Sequence, residues 1–188
     1  MPRLNAIDPG QATGKAKSLL DGIQSKLGMT PNLMRAMASS PEALEGYLGL
    51  IASLSRGLLK AGLREQIALA VAEANGCEYC LAAHTAAGRM VGLGQDDLLD
   101  GRRASSPHPK VDTALKFARG LVDNRGRVTD SDLDRLRGAG YIDSEIAEIV
   151  ANVALNLFSN YFDHVAEPEI DFPRAEALSP KATQAERC

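Results

Sequence analysis

The apolar stretch LREQIALAVAEAN, residues 63–75, is the segment that most constrains how this chain can fold. It lies between Gly62 and Gly76, and its Ala, Leu, Glu and Gln residues favour a helix. A helix with so little polar surface has to be covered by other elements on most of its sides. We therefore predict that it is a buried central helix, which the rest of the chain must surround.

The remaining sequence is also typical of helices. Ala and Leu dominate, aromatic residues make up 4%, Trp is absent, and Val and Ile do not cluster at strand spacing. These features predict an all-α fold, a compact orthogonal helical domain. Gly, Pro and Ser/Thr/Asp signals place further helices at about 11–27, 32–38, 42–59, 78–92, 109–124, 132–140 and 144–165, with a short turn at 96–100.

No low-complexity linker divides the 188 residues, so we expect one domain over residues 1–188 with a core at about 11–166. From 167 to 188 the sequence becomes irregular and polar, which predicts a tail that packs on a neighbouring molecule or frays.

One spacing occurs twice along the chain. Glu65 precedes His84 by nineteen residues, and Glu145 precedes His164 by the same number. A duplicated helical unit is one interpretation. Chance is the other, because few residues are identical between the two windows.

Charge and hydropathy exclude several classes of function. The net charge is −3, and no basic run is longer than the pair Arg102-Arg103, so nucleic-acid binding is not expected. No apolar run approaches the roughly 20 residues that a bilayer span needs. The N-terminus has no apolar signal core, which predicts a protein of the reducing cytoplasm. An odd number of cysteines, three, is not a disulfide framework.

The most informative motif is Cys77-Glu-Tyr-Cys80-Leu-Ala-Ala-His84. Gly76 ends the preceding helix, which places Cys77 near the N-cap and Cys80 in the first turn of the next helix. The free N–H groups and the helix dipole there favour a thiolate. His84 lies one turn after Cys80 on the same face, where it can take the thiol proton. Cys77 is close enough to Cys80 for a disulfide across one turn.

Two other interpretations of the motif stay open. Cys77, Cys80 and His84 with one distant ligand would form a Cys₂His zinc site, although a ribbon-type site needs a second cysteine pair. Alternatively, both cysteines are small buried hydrophobic residues. We favour redox chemistry, for which the sequence calls for no cofactor or metal.

The spacing of Glu65, an apolar helix and the CEYCLAAH motif resembles the alkylhydroperoxidase D-like group of the carboxymuconolactone decarboxylase superfamily. The segments LGMTPNLMRAMASSPEALEGY and NLFSNYFDHVAEPEIDFP are similar to the branch called peroxidase-related proteins. The resemblance covers about residues 20–173. It implies an all-helical fold and a symmetric homo-oligomer, a trimer or hexamer.

The resemblance also implies a role for each residue of the motif. Cys80 matches the cysteine that attacks the hydroperoxide and becomes a sulfenic acid, and Cys77 matches the resolving cysteine. His84 and Glu65 match the proton-relay pair. Tyr79 departs from the pattern, because well-studied members have a histidine just before the second cysteine.

Other candidates come from the residues themselves. If the two central helices fold back at Gly76, Glu65 reaches His84 and orients its ring. Glu73, one turn before Cys77, is a competing base. His164 lies on an apolar helix and is more simply explained as a structural histidine, and Cys188 has no assigned role.

We therefore predict a thiol-dependent peroxidase regenerated by a dithiol donor, either a lipoyl group or a thioredoxin-like protein. A lactone decarboxylase is an alternative, although decarboxylase members generally lack the cysteine pair. A further alternative is a non-enzymatic helical oligomer that binds zinc or senses oxidation.

Overall fold

The structure, a computed structural model, describes residues 2–178, and its secondary structure over these residues is entirely helical, as predicted. The helices, in chain order, are α1 (Gly14–Leu27), α2 (Asn32–Met37), α3 (Pro41–Leu54), α4 (Ala61–Asn75), α5 (Glu78–Met90), α6 (Gln95–Arg102), α7 (Pro109–Asp123), α8 (Asp130–Gly138) and α9 (Asp143–Ala166). None of these helices has both the length and the apolar character needed to cross a membrane.

Helix α4 is the centre of the fold. It packs against α5, α6, α7 and α9, and every residue from Gln66 to Ala72 is buried. The Gln66 side chain is the polar member of this run, and its amide donates to the Asp97 carbonyl oxygen at 3.2 Å. The prediction of a buried central helix is confirmed.

The turn predicted at 96–100 is wrong, because these residues belong to helix α6. The Asp97 carboxylate accepts the Gly94 N–H at 3.1 Å and so caps the first turn. The helix also lies very close to α4. A Cβ atom at Gly101 would be only 3.3 Å from Cα of Gln66. This close approach is a tertiary contact, which the local sequence does not reveal.

The equal spacing of the two Glu–His pairs does not reflect a repeated helix pair. Glu65 and His84 lie on separate helices, whereas Glu145 and His164 lie on the single continuous helix α9. The position in α9 that corresponds to Gly76 is Asn156, which has no left-handed backbone and does not end the helix. The interpretation as a duplicated unit is therefore wrong for this pair.

The described part of the segment after α9, residues 167–178, is not helical and packs on the protein's own helices. Asp171 accepts the Asn32 N–H at 2.7 Å, and the Phe172 ring meets the Tyr79 ring edge-on at 5.8 Å. The Glu176 carbonyl accepts a hydrogen bond from the Arg102 guanidinium. Residues 167–178 thus run over α2 and α5, and Cys188 lies outside the described residues.

Candidate active site

The site is built on the reversal between α4 and α5. Gly76 adopts a left-handed backbone with φ +67°, which glycine accepts without steric cost. The Cys77 N–H donates to the Ala72 carbonyl at 3.0 Å and closes the end of α4. Helix α5 begins at once with Glu78, so Cys77 is its N-cap residue, as the sequence indicated.

Cys77 and Cys80 are joined by a disulfide, with their Cα atoms 5.3 Å apart. Both residues are essentially inaccessible to solvent, within an apolar cluster that includes Leu69 and Leu98. The Cys80 N–H donates to Cys77 Sγ at 3.1 Å. The start of α5 therefore directs a backbone donor and the positive end of its dipole at the Cys77 sulfur.

The carboxylate of Glu65 contacts the imidazole of His84 across the α4–α5 reversal. Oε2 of Glu65 lies 2.8 Å from Nδ1 of His84, and the two side chains are 21% and 23% exposed. The predicted contact is confirmed. It leaves Nε2 as the nitrogen available for chemistry and fixes the orientation of the ring. The roles of both residues in a reaction stay predictions.

Glu73, the competing base, has another partner. Its Oε2 accepts from Nε of Arg102 at 2.7 Å, and the Arg102 side chain is almost fully buried. An uncompensated guanidinium at this depth would be costly, so the Glu73 carboxylate is needed to balance its charge. Glu73 therefore has a structural role, because its carboxylate stabilises the buried Arg102.

The structure adds a site residue that the sequence reasoning missed. Oδ2 of Asp163, on α9, lies 3.3 Å from Sγ of Cys77. Burial raises the pKa of Asp163 to about 6, with His164 opposing and Glu167 reinforcing the shift. One oxygen of Asp163, one ring nitrogen of His164 and Cys77 Sγ lie within 4.8 Å of one another. His164 therefore lies near the cysteine motif, and it is exposed to solvent.

A sequence signal for Asp163 was present in α9. Polar residues recur at helical spacing along this otherwise apolar helix, and the structure buries them: Asn152, Asn156, Ser159 and Asn160. Asp163 follows Asn160 by three residues and continues the same face. Polar residues that align on the inner face of an apolar helix indicate a functional or tightly hydrogen-bonded site. Asn160, for example, accepts from the Asn75 amide at 2.9 Å, next to the reversal.

The three residues considered above as zinc ligands do not form a compact group of donor atoms. Within residues 2–178, the potential donor atoms of Cys77, Cys80 and His84 do not all lie within 4.8 Å of one another. The His84 ring turns instead to Glu65.

Comparisons with known proteins agree with this architecture. The sequence model of the Carboxymuconolactone decarboxylase family matches residues 39–123, which include Glu65, both cysteines and His84. A peroxidase-related protein from Silicibacter sp. TM1040 is 25% identical, with a TM-score of 0.76 over 89% of this chain and 93% of that one. These matches support the assignment of this chain to the alkylhydroperoxidase D-like and carboxymuconolactone decarboxylase superfamily.

Two more solved structures share the fold of the superfamily. The alkylhydroperoxidase AhpD core of a peroxidase-related protein from Ralstonia eutropha JMP134 has a TM-score of 0.82 at 23% identity, over 90% of this chain and 92% of that one. The debrominase Bmp8 C82A in complex with 2,3,4-tribromopyrrole has a TM-score of 0.77 at 19% identity, over 89% and 91%. A comparison with curated protein sequences gives no match. Together the comparisons support a peroxidase-related or decarboxylase-like protein.

Tyr79 replaces the histidine that the superfamily resemblance predicts, and the structure assigns its hydroxyl to another task. The hydroxyl donates to Oδ1 of Asp171 at 2.7 Å and accepts the Leu33 N–H at 3.1 Å. Burial, together with the Asp171 carboxylate, raises the pKa of Tyr79 above its ordinary value. A phenol held in this way links the C-terminal segment to α2 and has no free hydroxyl for the cysteines.

Replacing Tyr79 with Phe should therefore destabilise the protein. The Leu33 N–H and one carboxylate oxygen of Asp171 would each lose a partner, which costs about 1–3 kcal/mol. Urea denaturation of both proteins measures the change in the free energy of unfolding. Tyr161→Phe is a matched control, because Tyr161 is 58% exposed. Equal stabilities for Tyr79→Phe and the control would contradict this account of Tyr79.

Proposed function

We propose that this protein is a thiol-dependent peroxidase that reduces hydroperoxides with the pair Cys77 and Cys80. The observation that carries the proposal is the arrangement at the start of α5. A disulfide lies at the helix N-terminus, and a hydrogen-bonded His84–Glu65 pair lies one turn farther along. These are the parts that a dithiol reaction needs: two thiols, a base and a group that orients the base.

In the first step, His84 takes the thiol proton of Cys80, and the resulting thiolate attacks one peroxide oxygen. An S–O bond forms while the O–O bond breaks, so the sulfur is oxidised to sulfenic acid. The departing alkoxide takes the proton from His84 and leaves as an alcohol, or as water when the substrate is hydrogen peroxide. Glu65 keeps Nε2 of His84 directed for this exchange.

In the second step, Cys77 attacks the sulfenic sulfur of Cys80. The S–S bond forms, the S–O bond breaks, and the hydroxide leaves with a proton as water. A dithiol, a lipoyl group or a thioredoxin-like protein, then reduces the disulfide by exchange and is itself oxidised. A reducing cytoplasm would supply such a donor.

The alternatives make different predictions. A lactone decarboxylase would use neither thiol, so its activity would survive loss of both cysteines. A non-enzymatic zinc or redox-sensing protein would consume no peroxide catalytically. Peroxide consumption that depends on the thiols separates the three.

The test is peroxide consumption with dihydrolipoamide or thioredoxin as the donor. We expect Cys80→Ser to abolish turnover, because the thiol assigned to attack the peroxide is lost. Cys77→Ser should permit one turnover and leave a sulfenic acid at Cys80, which a dimedone-type reagent traps for peptide mapping. Cys188→Ser is the matched control and should retain turnover.

Several outcomes would contradict the proposal. Turnover that survives in Cys80→Ser, with the sulfenic acid at Cys77, would reverse the two roles. No peroxide consumption by the wild-type protein with either donor would argue against a peroxidase. Bound zinc with unreactive thiols would favour the non-enzymatic alternative.

The proposed relay predicts the effect of Glu65→Gln. The fold should persist, because Gln has a similar shape and helix propensity. Sulfenic acid formation should slow by about 10²-fold, the lower end of the usual contribution of general acid–base catalysis. Rapid mixing of the reduced protein with peroxide measures this rate. Glu78→Gln, the same change at a side chain that is 73% exposed, is the control and should react like the wild type.

A double variant tests whether Glu65 acts through His84. If it does, Glu65→Gln combined with His84→Ala should be little slower than His84→Ala alone. Two effects that simply multiply would mean that Glu65 acts by another route.

We further propose that the protein is a homo-oligomer, a trimer or hexamer. The outer face of α9 carries a continuous exposed apolar stripe, formed by Ala147, Val150, Ala154, Phe158, Tyr161 and Val165. A stripe of this length on one helix is typical of an interface, and a second copy of the chain offers the same surface.

Sedimentation at micromolar concentration should therefore show a trimer or larger species. Tyr161→Glu should shift the distribution towards smaller species, because it places a charge within the stripe. Val128→Glu, an exposed apolar residue between α7 and α8, is the control and should leave the assembly intact. A wild-type monomer of 20.0 kDa would contradict the proposal.

A further inference from the structure

The proposed cycle does not yet assign a group that accepts and returns the thiol proton of Cys77. His84 serves Cys80, but Cys77 must lose its own thiol proton when the disulfide forms and regain one when it opens. Cys77 is inaccessible to solvent, so bulk water is not in contact with its sulfur. Some protein group has to handle this proton.

The carboxylate of Asp163 lies beside the Cys77 sulfur, with Oδ2 at 3.3 Å. Helix α9 brings it there from a position eighty-six residues farther along the chain. In the reduced protein, the thiol of Cys77 can donate a hydrogen bond to this carboxylate. In the disulfide, the sulfur has no hydrogen, and the carboxylate loses that donor.

Two opposing influences act on Cys77. The Cys80 N–H at 3.1 Å and the α5 N-terminus favour a thiolate, while the Asp163 carboxylate opposes one. An ionised Asp163 therefore keeps Cys77 protonated and leaves Cys80 as the thiolate that meets the peroxide. Asp163 can then accept the proton when Cys77 reacts.

We propose that Asp163 is the proton acceptor and donor for Cys77, taking its thiol proton as the disulfide closes and returning it as the disulfide opens. This inference rests on the proposed function. During closure, the S–H bond of Cys77 breaks and its proton moves to Oδ2. The S–S bond forms as hydroxide leaves Cys80 and takes a proton from solvent, relayed by the partly exposed His84, to become water. During reduction by a dithiol, the sulfur of Cys77 leaves with the electron pair of the S–S bond and takes the proton from Asp163. The attacking thiol of the dithiol returns one proton to solvent in the reduction step.

The charges around Asp163 suit this exchange. His164 follows it on α9, and Glu167 comes directly after the end of this helix and is paired with Arg3 at 2.9 Å. From α5, Cys77 and Tyr79 face it, and Tyr79 is hydrogen-bonded to Asp171 of the C-terminal segment. Burial raises the pKa of Asp163 to about 6, close enough to neutrality for the carboxyl to gain and lose a proton in each cycle.

The first measurement concerns the thiol itself. In a protein with Cys80→Ser and Cys188→Ser, the ultraviolet absorbance of the thiolate reports the ionisation of Cys77 without requiring solvent access. Asp163→Asn removes the opposing charge, so Cys77 should ionise about tenfold more readily.

The second measurement concerns closure and uses no peroxide. A reduced protein with Cys188→Ser reacts with 4,4′-dithiodipyridine, in the presence of a chelator, in two phases. Cys80 first releases one thiopyridone and forms a mixed disulfide. Cys77 then displaces the second thiopyridone and closes the Cys77–Cys80 bond.

Asp163→Asn should slow the second phase about tenfold near neutral pH, although the thiolate is more abundant. Loss of a general base lowers a reaction rate by about 10²–10⁴-fold, and the larger fraction of thiolate raises the rate of the second phase by about tenfold. The wild-type rate of this phase should follow an ionisation at about pH 6 that is absent from the variant. Glu167→Gln removes the same charge one turn away, without touching the sulfur. It should leave the rate of the second phase at neutral pH close to that of the wild type, and only lower the pH at which this phase titrates.

A second phase that is faster in Asp163→Asn would overturn the proposal, because it would reduce Asp163 to an electrostatic influence. Unchanged titration and closure would also overturn it, as would a wild-type protein with no second phase. Because neither measurement involves peroxide, a protein without peroxidase activity can still pass both. A working peroxidase whose closure ignores Asp163→Asn would overturn this inference alone.

Discussion

The burial of α4 is the constraint on which the rest of the structure depends. A helix that is buried from Gln66 to Ala72 requires four helices around it, and α5, α6, α7 and α9 fill these places. The arrangement of the site follows from this enclosure. Helix α5 covers one side of α4 and begins with the cysteines, while α9 covers another side and passes the same end. Asp163 and Cys77 therefore meet because both of their helices pack on the same central element.

Helix α9 has an unusual distribution of side chains. Its inner face buries Asn152, Asn156 and Asn160, while its outer face exposes Phe158 and Tyr161. Buried amides are costly unless they are hydrogen-bonded. Asn152 and Asn156 meet this requirement by donating to backbone carbonyls one turn earlier. Asn160 meets it in part: its Oδ1 accepts from Asn75, while its Nδ2 has no partner within the described residues. Helix α9 thus has a polar inner face beside the disulfide and an apolar outer face that suits contact with a second copy of the chain.

The C-terminal segment and Tyr79 explain how the buried disulfide is enclosed. Tyr79 comes directly before Cys80 in the sequence. Its ring packs edge-on against Phe172, and its hydroxyl donates a hydrogen bond to Asp171. Asp171 in turn accepts the N–H of Asn32 at the start of α2. The residue in the place of the superfamily histidine therefore stabilises the wall of the site. In the proposed cycle, proton transfer therefore falls to groups on either side, His84 with Glu65 and Asp163.

Local chemistry was sufficient to determine much of this protein from its sequence. Apolar periodicity and Gly76 predicted the central helix and its end, because helix propensity and a left-handed glycine act over a few residues. The motif spacing placed Cys77 at the N-cap, and folding back at Gly76 predicted the contact of Glu65 with His84. These features depend on neighbours in the chain or on one short reversal.

Only the tertiary structure decided the rest, because those contacts join residues far apart in the chain. Helix α6 forms where a turn was predicted because Gly101 lets it pack against α4. Glu73 was a candidate base until its partner Arg102 was located, and only the structure shows that the Tyr79 hydroxyl donates to Asp171. Asp163 reaches Cys77 from the other half of the chain. Which of several acids and phenols meets a given sulfur or cation depends on how the helices pack, and helix packing is a property of the whole chain.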